Sequence, residues 1–411
     1  MKRHDGLRQC LFWCAFLLYL VATTLQFTMA TEVGMVGKIL TLARYLSFGL
    51  AGLKILWDWA LLGLKKEGPW SLTREAVGCA LKYILLAGIV LLAVVTSKDT
   101  LPLFVLVLLL ASKGVEVDDI FGIALPVQVL VLAFVFFLTL DGTLPDLTYL
   151  REDATVRHSL GFTYPTVVMT YFFFILVWAM WRCRKGISVG SGVALLAVTV
   201  GLYYLTDARN GFLLSCVVIL VEMVLGQRSR WDGLARRLSE QRWCRVLCRV
   251  VRFGYEYCAV LLCVLLAGLC WLYPAQPAAM LNRLLSDRIR LTAQAAANYG
   301  IHLLGNSIQW VGYGGDVDWA TIGERYNFVD CSYSLTLFNY GVIFSALVLV
   351  GLVLLGKRLY KQGNWNHCFL YLMVLGCCFI EPRLLEVHLN LVLFAAAPIL
   401  YTCPKWLEGR K

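Results

Sequence analysis

The feature that most constrains this chain is its division into a dozen long apolar runs. A helix needs about 20 mostly apolar residues to cross the ~30 Å hydrocarbon core of a bilayer, and most of these runs reach about 16–22 residues. Hydrophobic residues make up 60% of the chain and charged residues only 15%, against about 25% charged residues in a soluble protein. This pattern excludes a soluble enzyme, a disordered chain and a nucleic-acid-binding domain.

The runs predict an all-α, polytopic transmembrane helical bundle of about 12 spans in a single integral membrane domain, residues 1–411. A signal-peptide-like start (residues 1–30) is interpreted as an uncleaved first helix because many spans follow it. The predicted helices lie near 11–29, 36–62, 75–95, 101–113, 120–140, 165–181, 187–206, 211–226, 256–273, 335–356, 366–381 and 388–402.

Basic residues predict the orientation. The connections on the side of the termini hold 24 of the 37 Lys and Arg residues, and the opposite connections hold nine. Cytoplasmic loops carry the excess of Lys and Arg, so both termini are expected in the cytoplasm. Residues 227–255 then form a basic cytoplasmic loop, and residues 274–334 form a large extracytoplasmic loop before the last three spans.

Eight of the nine extracytoplasmic basic residues are arginines. The planar guanidinium fork fits phosphate and carboxylate oxygens and stays charged. Pairing with nearby carboxylates explains any single arginine equally well, but the whole set favours an anion site on this face. Apolar residues recur with helical spacing over 284–303 in the large loop, which predicts a helix lying on the membrane surface or capping a cavity.

The fifteen cysteines lie mostly in apolar runs or basic loops, and no CxxC pair occurs. They are interpreted as small buried hydrophobic residues rather than as a disulfide framework, a zinc site or a redox site.

Short motifs occur in the extracytoplasmic connections. They are His158-Ser-Leu-Gly-Phe-Thr-Tyr-Pro-Thr166; Thr206-Asp-Ala-Arg-Asn-Gly211; Leu284-Leu-Ser-Asp-Arg-Ile289 with Tyr299-Gly-Ile-His-Leu-Leu-Gly305; Val329-Asp-Cys-Ser-Tyr333 with Tyr340-Gly341; and Glu381-Pro382 with Asn390. Their order, their side of the membrane and the long loop resemble bacterial O-antigen and capsular polysaccharide polymerases of the Wzy type. The resemblance covers about Ile120 to Leu400, and Tyr164 and Thr166 depart from the His and Asn common in the family.

The resemblance implies a glycosyltransferase of the GT-C type in the bacterial cytoplasmic membrane. Such enzymes join oligosaccharide repeat units carried on undecaprenyl diphosphate at the outer face, making capsule, exopolysaccharide or O-antigen. It implies no metal and no cofactor. The implied partners are the lipid-linked glycan donor and acceptor, the lipid bilayer, and flippase and chain-length regulator proteins, with no nucleic acid.

A diphosphate leaving group needs positive charge near its bridging oxygen, which fixed guanidinium groups can supply. The candidate catalytic residues are therefore Arg209, Arg288 and His158, with His158 orienting or deprotonating the acceptor. Arg290 points roughly 200° away from Arg288 on a helix, so one of this pair is expected to be structural. The candidate substrate-binding residues are Arg290, Asp330, His302, Glu381 and Tyr333.

Alternatives remain open at this point. Asp316-Val317-Asp318 is similar to the metal-binding motif of nucleotide-sugar transferases. An O-antigen ligase would carry a His-rich motif in the large loop, where only His302 is found. A transporter or flippase would place charges at mid-membrane and show repeat halves, and Arg44, Lys54 and Asp58 form the one dense group of such charges.

Overall fold

The computed structural model describes residues 2–64, 74–150, 155–227, 242–312 and 326–401. Helices dominate this part of the chain, and the short strands β1 (Thr148–Leu150) and β2 (Val156–His158) pair as an antiparallel hairpin. The α-helices are α1 (Lys2–Gln26), α2 (Val36–Leu64), α3 (Arg74–Ser97), α4 (Leu101–Ala111), α5 (Val117–Leu140), α6 (Pro165–Cys183), α7 (Val189–Thr206), α8 (Arg209–Gly226), α9 (Arg242–Glu256), α10 (Cys258–Leu272), α11 (Gln276–Leu284), α12 (Arg288–Tyr299), α13 (Ser332–Gln362), α14 (Trp365–Ile380) and α15 (Ala397–Tyr401).

Within the described residues, eight helices are long and apolar enough to cross a membrane. A ninth span arises if the end of α9 and α10 count together, although they are bent by 75°. Three shorter apolar helical segments cover Leu101–Ala111, Trp365–Ile380 and Leu391–Tyr401. The protein is thus an all-α polytopic membrane protein, and the number of about 12 spans stays a prediction.

The predicted final span, 388–402, is only partly helical. Residues 381–390 have no regular helix, a 3₁₀ turn follows over Leu391–Ala396, and α15 completes the segment. All of residues 381–390 are buried, and the indole nitrogen of Trp178 donates to the carbonyl of Leu389 at 3.0 Å. Irregular backbone at membrane depth is tolerated only where protein or a cavity supplies its hydrogen bonds, and here the bundle encloses it.

Helix α6 lies at the centre of the bundle. Two thirds of its membrane-spanning window is buried (67%), more than in any other candidate span of the described chain. The helix packs on α5, α8 and α14, and its largest fully buried side chains are Tyr171, Phe173, Phe174 and Trp178. Because α6 is fixed on several sides, the residues at its first turn have a rigid support.

Helix α13 is broken at Gly341, which has φ 79° and ψ 176°. The extended segment 302–306 lies in this break: Val342 N–H donates to the His302 carbonyl at 3.0 Å, and Ile343 N–H to the Leu303 carbonyl at 3.2 Å. A Cβ on Gly341 would lie 2.4 Å from the carbonyl carbon of Leu304. The two glycine-containing motifs, 299–305 and 340–341, therefore pack directly on each other, since only glycine allows this approach.

The two long loops are partly ordered as helices. Residues 242–256 of the basic loop form α9, whereas residues 228–241 lie outside the described residues. The large loop contains α11 and α12, and its residues 313–325 are likewise not described. The predicted helix over 284–303 is only partly correct. Leu284 is the last residue of α11, a turn with left-handed Ser286 and Asp287 follows, and α12 runs from Arg288 to Tyr299, where Gly300 with φ 68° ends it.

Candidate functional site

A cavity of about 520 Å³ lies at one end of the bundle, which we call the cavity end. Residues from the first four motifs line it, together with Glu381 and Pro382 of the fifth motif and the adjacent Arg383. The lining includes Phe27, Arg157, Thr163, Tyr164, Thr166, Val167, Thr170, Asp207, Ala208, Arg209, Asn210, Gly211, Ser286, Asp287, Arg288, Arg290, Leu291, Gly312, Tyr326, Phe328, Asp330, Glu381, Pro382 and Arg383. Motifs that are far apart in the chain thus share one site.

Three helices begin at this cavity: α6, α8 and α12. Pro165 occupies the first turn of α6, where the fixed φ of proline favours helix initiation. Asp207 and Asp287 adopt left-handed conformations (φ 43° and 65°), which make the tight turns before α8 and α12. The first N–H groups of a helix lack intrahelical acceptors and carry partial positive charge, so three such ends favour an anion.

The side chains of the cavity carry an excess of positive charge. Five arginines line it and four carboxylate residues accompany them. The arginines are Arg157, Arg209, Arg288, Arg290 and Arg383, and the carboxylate residues are Asp207, Asp287, Asp330 and Glu381. Any carboxyl that is protonated at neutral pH increases the positive excess.

Arg288 lies in the floor of the cavity and is almost fully bonded to protein groups. Its Nε donates to the Ile380 carbonyl at 2.6 Å and its Nη1 to the Leu285 carbonyl at 3.0 Å. Its Nη2 lies 3.3 Å from Glu381 Oε1 and 3.7 Å from Asp330 Oδ2. Arg288 therefore ties the start of α12 to the end of α14 and holds two carboxyl groups at the site.

Burial shifts both of these carboxyl groups toward their neutral forms. It raises the pKa of Glu381 to about 7, against the lowering effect of the Arg288 charge. Burial also raises the pKa of Asp330, while Arg288 and Arg383 act in the opposite direction. The side chain of Asp330 is 25% exposed and that of Glu381 10%, so Asp330 is the more accessible group from the cavity.

Arg209 and Arg290 lie at the open part of the cavity. The side chain of Arg209 is 59% exposed, and its Nε is 3.6 Å from Asp207 Oδ1. The side chain of Arg290 is 38% exposed, with its Nη2 3.2 Å from Asp287 Oδ2. Both guanidinium groups sit beside helix N-termini, in positions from which a bound anion is accessible.

Sequence reasoning missed two buried arginines of the lining. Arg157 donates from Nε to the Thr206 carbonyl at 2.9 Å, and its guanidinium lies 5.3 Å from the ring centre of Tyr164. Arg383 donates from Nη1 to both carboxylate oxygens of Glu386, at 2.8 and 3.0 Å. Arg157 directly precedes His158, and Arg383 directly follows Pro382, so each adjoins one of the motifs. This adjacency was the signal in the sequence that could have identified them.

Three predicted site residues do not line the cavity. His158 lies on β2, and its Nδ1 is 2.6 Å from Asp146 Oδ2, a contact that organises the loop before α6. The Nε2 of His302 is 2.8 Å from the Tyr299 carbonyl. Tyr333 is buried between helices and donates to the Leu375 carbonyl at 3.0 Å. Of the candidate residues, the structure brings together Arg209, Arg288, Arg290, Asp330 and Glu381.

The competing metal motif, Asp316 and Asp318, lies outside the described residues. In the part of the chain that the structure describes, His, Cys, Asp and Glu side chains form no group of three or more suited to a metal ion. The chemistry that the described cavity offers is binding of a multiply charged anion by arginines and helix N-termini, next to carboxyl groups with raised pKa values.

Comparison of the chain with protein-family models, curated proteins and solved structures gave no significant match.

Proposed function

We propose that this protein is a polysaccharide polymerase that joins oligosaccharide repeat units carried on undecaprenyl diphosphate, at the outer face of a bacterial cytoplasmic membrane. The observation that carries the proposal is that the first four resembling motifs and the Glu381–Arg383 segment, which contains part of the fifth, line one arginine-rich cavity. A bound diphosphate explains why five arginines and three helix N-termini converge there.

Arg209 and Arg290 bind the donor diphosphate in this proposal, because they are the more exposed guanidinium groups of the lining. Each charge-assisted hydrogen bond contributes about 1.5–3 kcal/mol. As the anomeric carbon–oxygen bond breaks, the electron pair moves to the bridging oxygen of the diphosphate. Fixed cations near that oxygen stabilise the transition state, where the negative charge develops, more than they stabilise the bound substrate. This difference is what lowers the activation barrier.

Asp330 accepts the proton of the acceptor hydroxyl as this oxygen forms its new bond to the anomeric carbon. It is the more accessible of the two carboxyl groups beside Arg288, and its raised pKa makes it a stronger base than an ordinary aspartate. Arg288 is a positioning residue in this scheme, since its guanidinium donates to two backbone carbonyls and contacts both carboxyl groups.

The proposed orientation follows from charge. In the predicted topology, the segments that line the cavity belong to the connections with few basic residues, and most Lys and Arg residues lie in the connections on the other side. With the positive side inside, the cavity faces the extracytoplasmic space. This is the side on which lipid-linked repeat units are polymerised in the family that the motifs resemble.

The test uses purified protein in lipid nanodiscs with lipid-linked repeat units as donor and acceptor. The expected products are lipid-linked dimers and longer chains, formed equally well in EDTA. Loss of activity in EDTA that magnesium restores, together with an inactive Asp316→Ala/Asp318→Ala variant, would move the active centre to the Gly312–Asp318 loop. In cells lacking the gene, single lipid-linked units should accumulate; complete chains retained on the lipid carrier would instead indicate a ligase.

A further inference from the structure

Helix α14 carries a partly exposed apolar stripe. Most side chains between residues 366 and 380 are buried, and the remaining ones are partly exposed and recur at helical spacing. These partly exposed residues, which we call the α14 stripe, are Phe369, Leu372, Met373, Gly376, Phe379 and Ile380. Their spacing of three and four residues places them on one face of the helix.

The neighbours of α14 define where this face lies. Helix α8 packs on α6, α7 and α14, while α10 packs on α12, α13 and α14. Helix α14 also packs on α6 and α13, and the stripe is the part of its surface that these four neighbours leave partly exposed.

The stripe ends at the floor of the arginine cavity. The carbonyl of Ile380 accepts the Nε hydrogen bond of Arg288 at 2.6 Å, and the next residue, Glu381, lines the cavity. The 16 residues of α14 span about 24 Å, so a molecule lying along the stripe reaches most of the way across the hydrocarbon core of ~30 Å. An apolar surface of membrane length is thus continuous with a site for a polyanion.

We propose that the α14 stripe binds the hydrocarbon tail of the lipid-diphosphate donor while the diphosphate occupies the cavity. This inference rests on the proposed function and assigns a binding surface for the lipid portion of the same substrate. The geometry favours the donor tail over a bulk phospholipid because the stripe leads directly to Arg288 and the arginines around it.

A second apolar groove, of about 560 Å³, lies between α3, α4 and α13 and provides the rival location. Leu385 lines this groove, and the buried segment that contains Arg383 separates it from the cavity. A tail in the second groove would have to pass this segment to connect with the diphosphate.

Glycines make a matched test possible. A Cβ on Gly376, in the stripe, meets no heavy atom within 4 Å, so a side chain can be introduced at this position without a clash at its first carbon. The same holds for Gly201 on α7, at a similar distance from the cavity end of its helix, and for Gly351 in the second groove. The variants are Gly376→Trp, with Gly201→Trp as depth-matched control and Gly351→Trp as the probe of the rival groove.

Each variant is assayed in nanodiscs with two donors that differ only in tail length, undecaprenyl and geranyl. For Gly376→Trp, KM for the undecaprenyl donor should rise by about tenfold with kcat unchanged, and KM for the geranyl donor should not change. Gly201→Trp and Gly351→Trp should behave like the wild type. Gly376→Leu, which is smaller, should show the same pattern with a smaller rise.

An unchanged KM for the undecaprenyl donor in Gly376→Trp would overturn the assignment, as would an equal loss with both donors. A KM effect confined to Gly351→Trp would move the tail to the second groove. If the wild type turns over neither donor, the proposed function fails, and photocrosslinking with a diazirine-tailed undecaprenyl diphosphate decides the stripe separately. Crosslinking to α14 that is lost in Gly376→Trp supports the assignment of the tail to the α14 stripe. Crosslinking to other helices refutes it.

Discussion

Arg288 Nη2 lies 3.3 Å from Glu381 Oε1, and both side chains are buried. This contact joins α12, from the large loop, to the end of α14 and the irregular segment after it. It makes the floor of the cavity depend on a charged pair. The geometry separates a buried arginine that holds protein groups, Arg288, from the more exposed Arg209.

Arg288→Ala should destabilise the protein by about 3–5 kcal/mol, because it leaves the buried Glu381 carboxyl and the partly buried Asp330 carboxyl without their guanidinium partner. Thermal inactivation in detergent measures this loss. The double variant Arg288→Ala/Glu381→Gln should recover part of the stability, since it removes one of the orphaned carboxylates. Wild-type stability with lost turnover in Arg288→Ala would instead indicate that Arg288 contacts substrate directly.

Arg209→Ala should lower kcat by about 10²–10³-fold, the effect of removing one donor from a developing oxyanion. The stability should change by less than about 0.5 kcal/mol, because the side chain is 59% exposed. Arg209→Lys should also be poor, since it keeps the charge but loses the fork. Arg184→Ala is the matched control: its side chain is equally exposed and also contacts an aspartate, but it lies at the other end of α6. Equal activity of both alanine variants would refute the role of Arg209.

The pH dependence of kcat/KM should show a rising limb as Asp330 loses its proton. Burial raises the pKa of Asp330, so the active, ionised form is lost as the pH falls through a range above the ordinary value for aspartate. Glu381→Gln removes a competing carboxylate from Arg288, which lowers the pKa of Asp330 and shifts the limb to lower pH. Asp330→Asn should remove most of the turnover. A limb that Glu381→Gln leaves in place would argue against Asp330 as the base.

His158→Ala and Asp146→Ala should have equal effects on turnover, each less than about tenfold, because their contact organises the loop before α6 and His158 does not line the cavity. The turnover rates of the two single variants and of the His158→Ala/Asp146→Ala double variant are compared with that of the wild type. A loss for His158→Ala that far exceeds the loss for Asp146→Ala would restore a catalytic role to the histidine.

Gly341→Ala should prevent accumulation of folded protein, since Gly341 has φ 79° and an added Cβ would lie 2.4 Å from the backbone of Leu304. Gly351→Ala, in the same helix, meets no atom within 4 Å and should gain up to about 1 kcal/mol from helix propensity. Size-exclusion profiles and thermal inactivation of the two variants measure the difference. Normal folding of Gly341→Ala would show that the break in α13 is not required.

The local pattern of the sequence was sufficient for the helices in the middle of the chain. The prediction of 165–181 agrees with Pro165–Cys183, and that of 187–206 agrees with Val189–Thr206, because hydropathy and a proline at a helix start act within one segment. The segment 388–402 departs from its predicted helix because backbone groups at its start and just before it have side-chain partners that no local pattern reports. The Leu389 carbonyl accepts from Trp178, and the Leu384 N–H donates to Ser332.

The candidate site shows the same difference between what the local sequence predicts and what tertiary contacts decide. The sequence by itself determined which residue types are available: arginines and carboxylates in connections on one side of an all-α membrane protein. Only the tertiary structure decided their environments. Arg288 is buried against Glu381 and Asp330, Arg209 is exposed at a helix N-terminus, Arg157 and Arg383 join the lining, and His158 turns to Asp146. The physical reason is that burial and pairing depend on helices distant in the chain, so hydropathy and spacing carry no information about them.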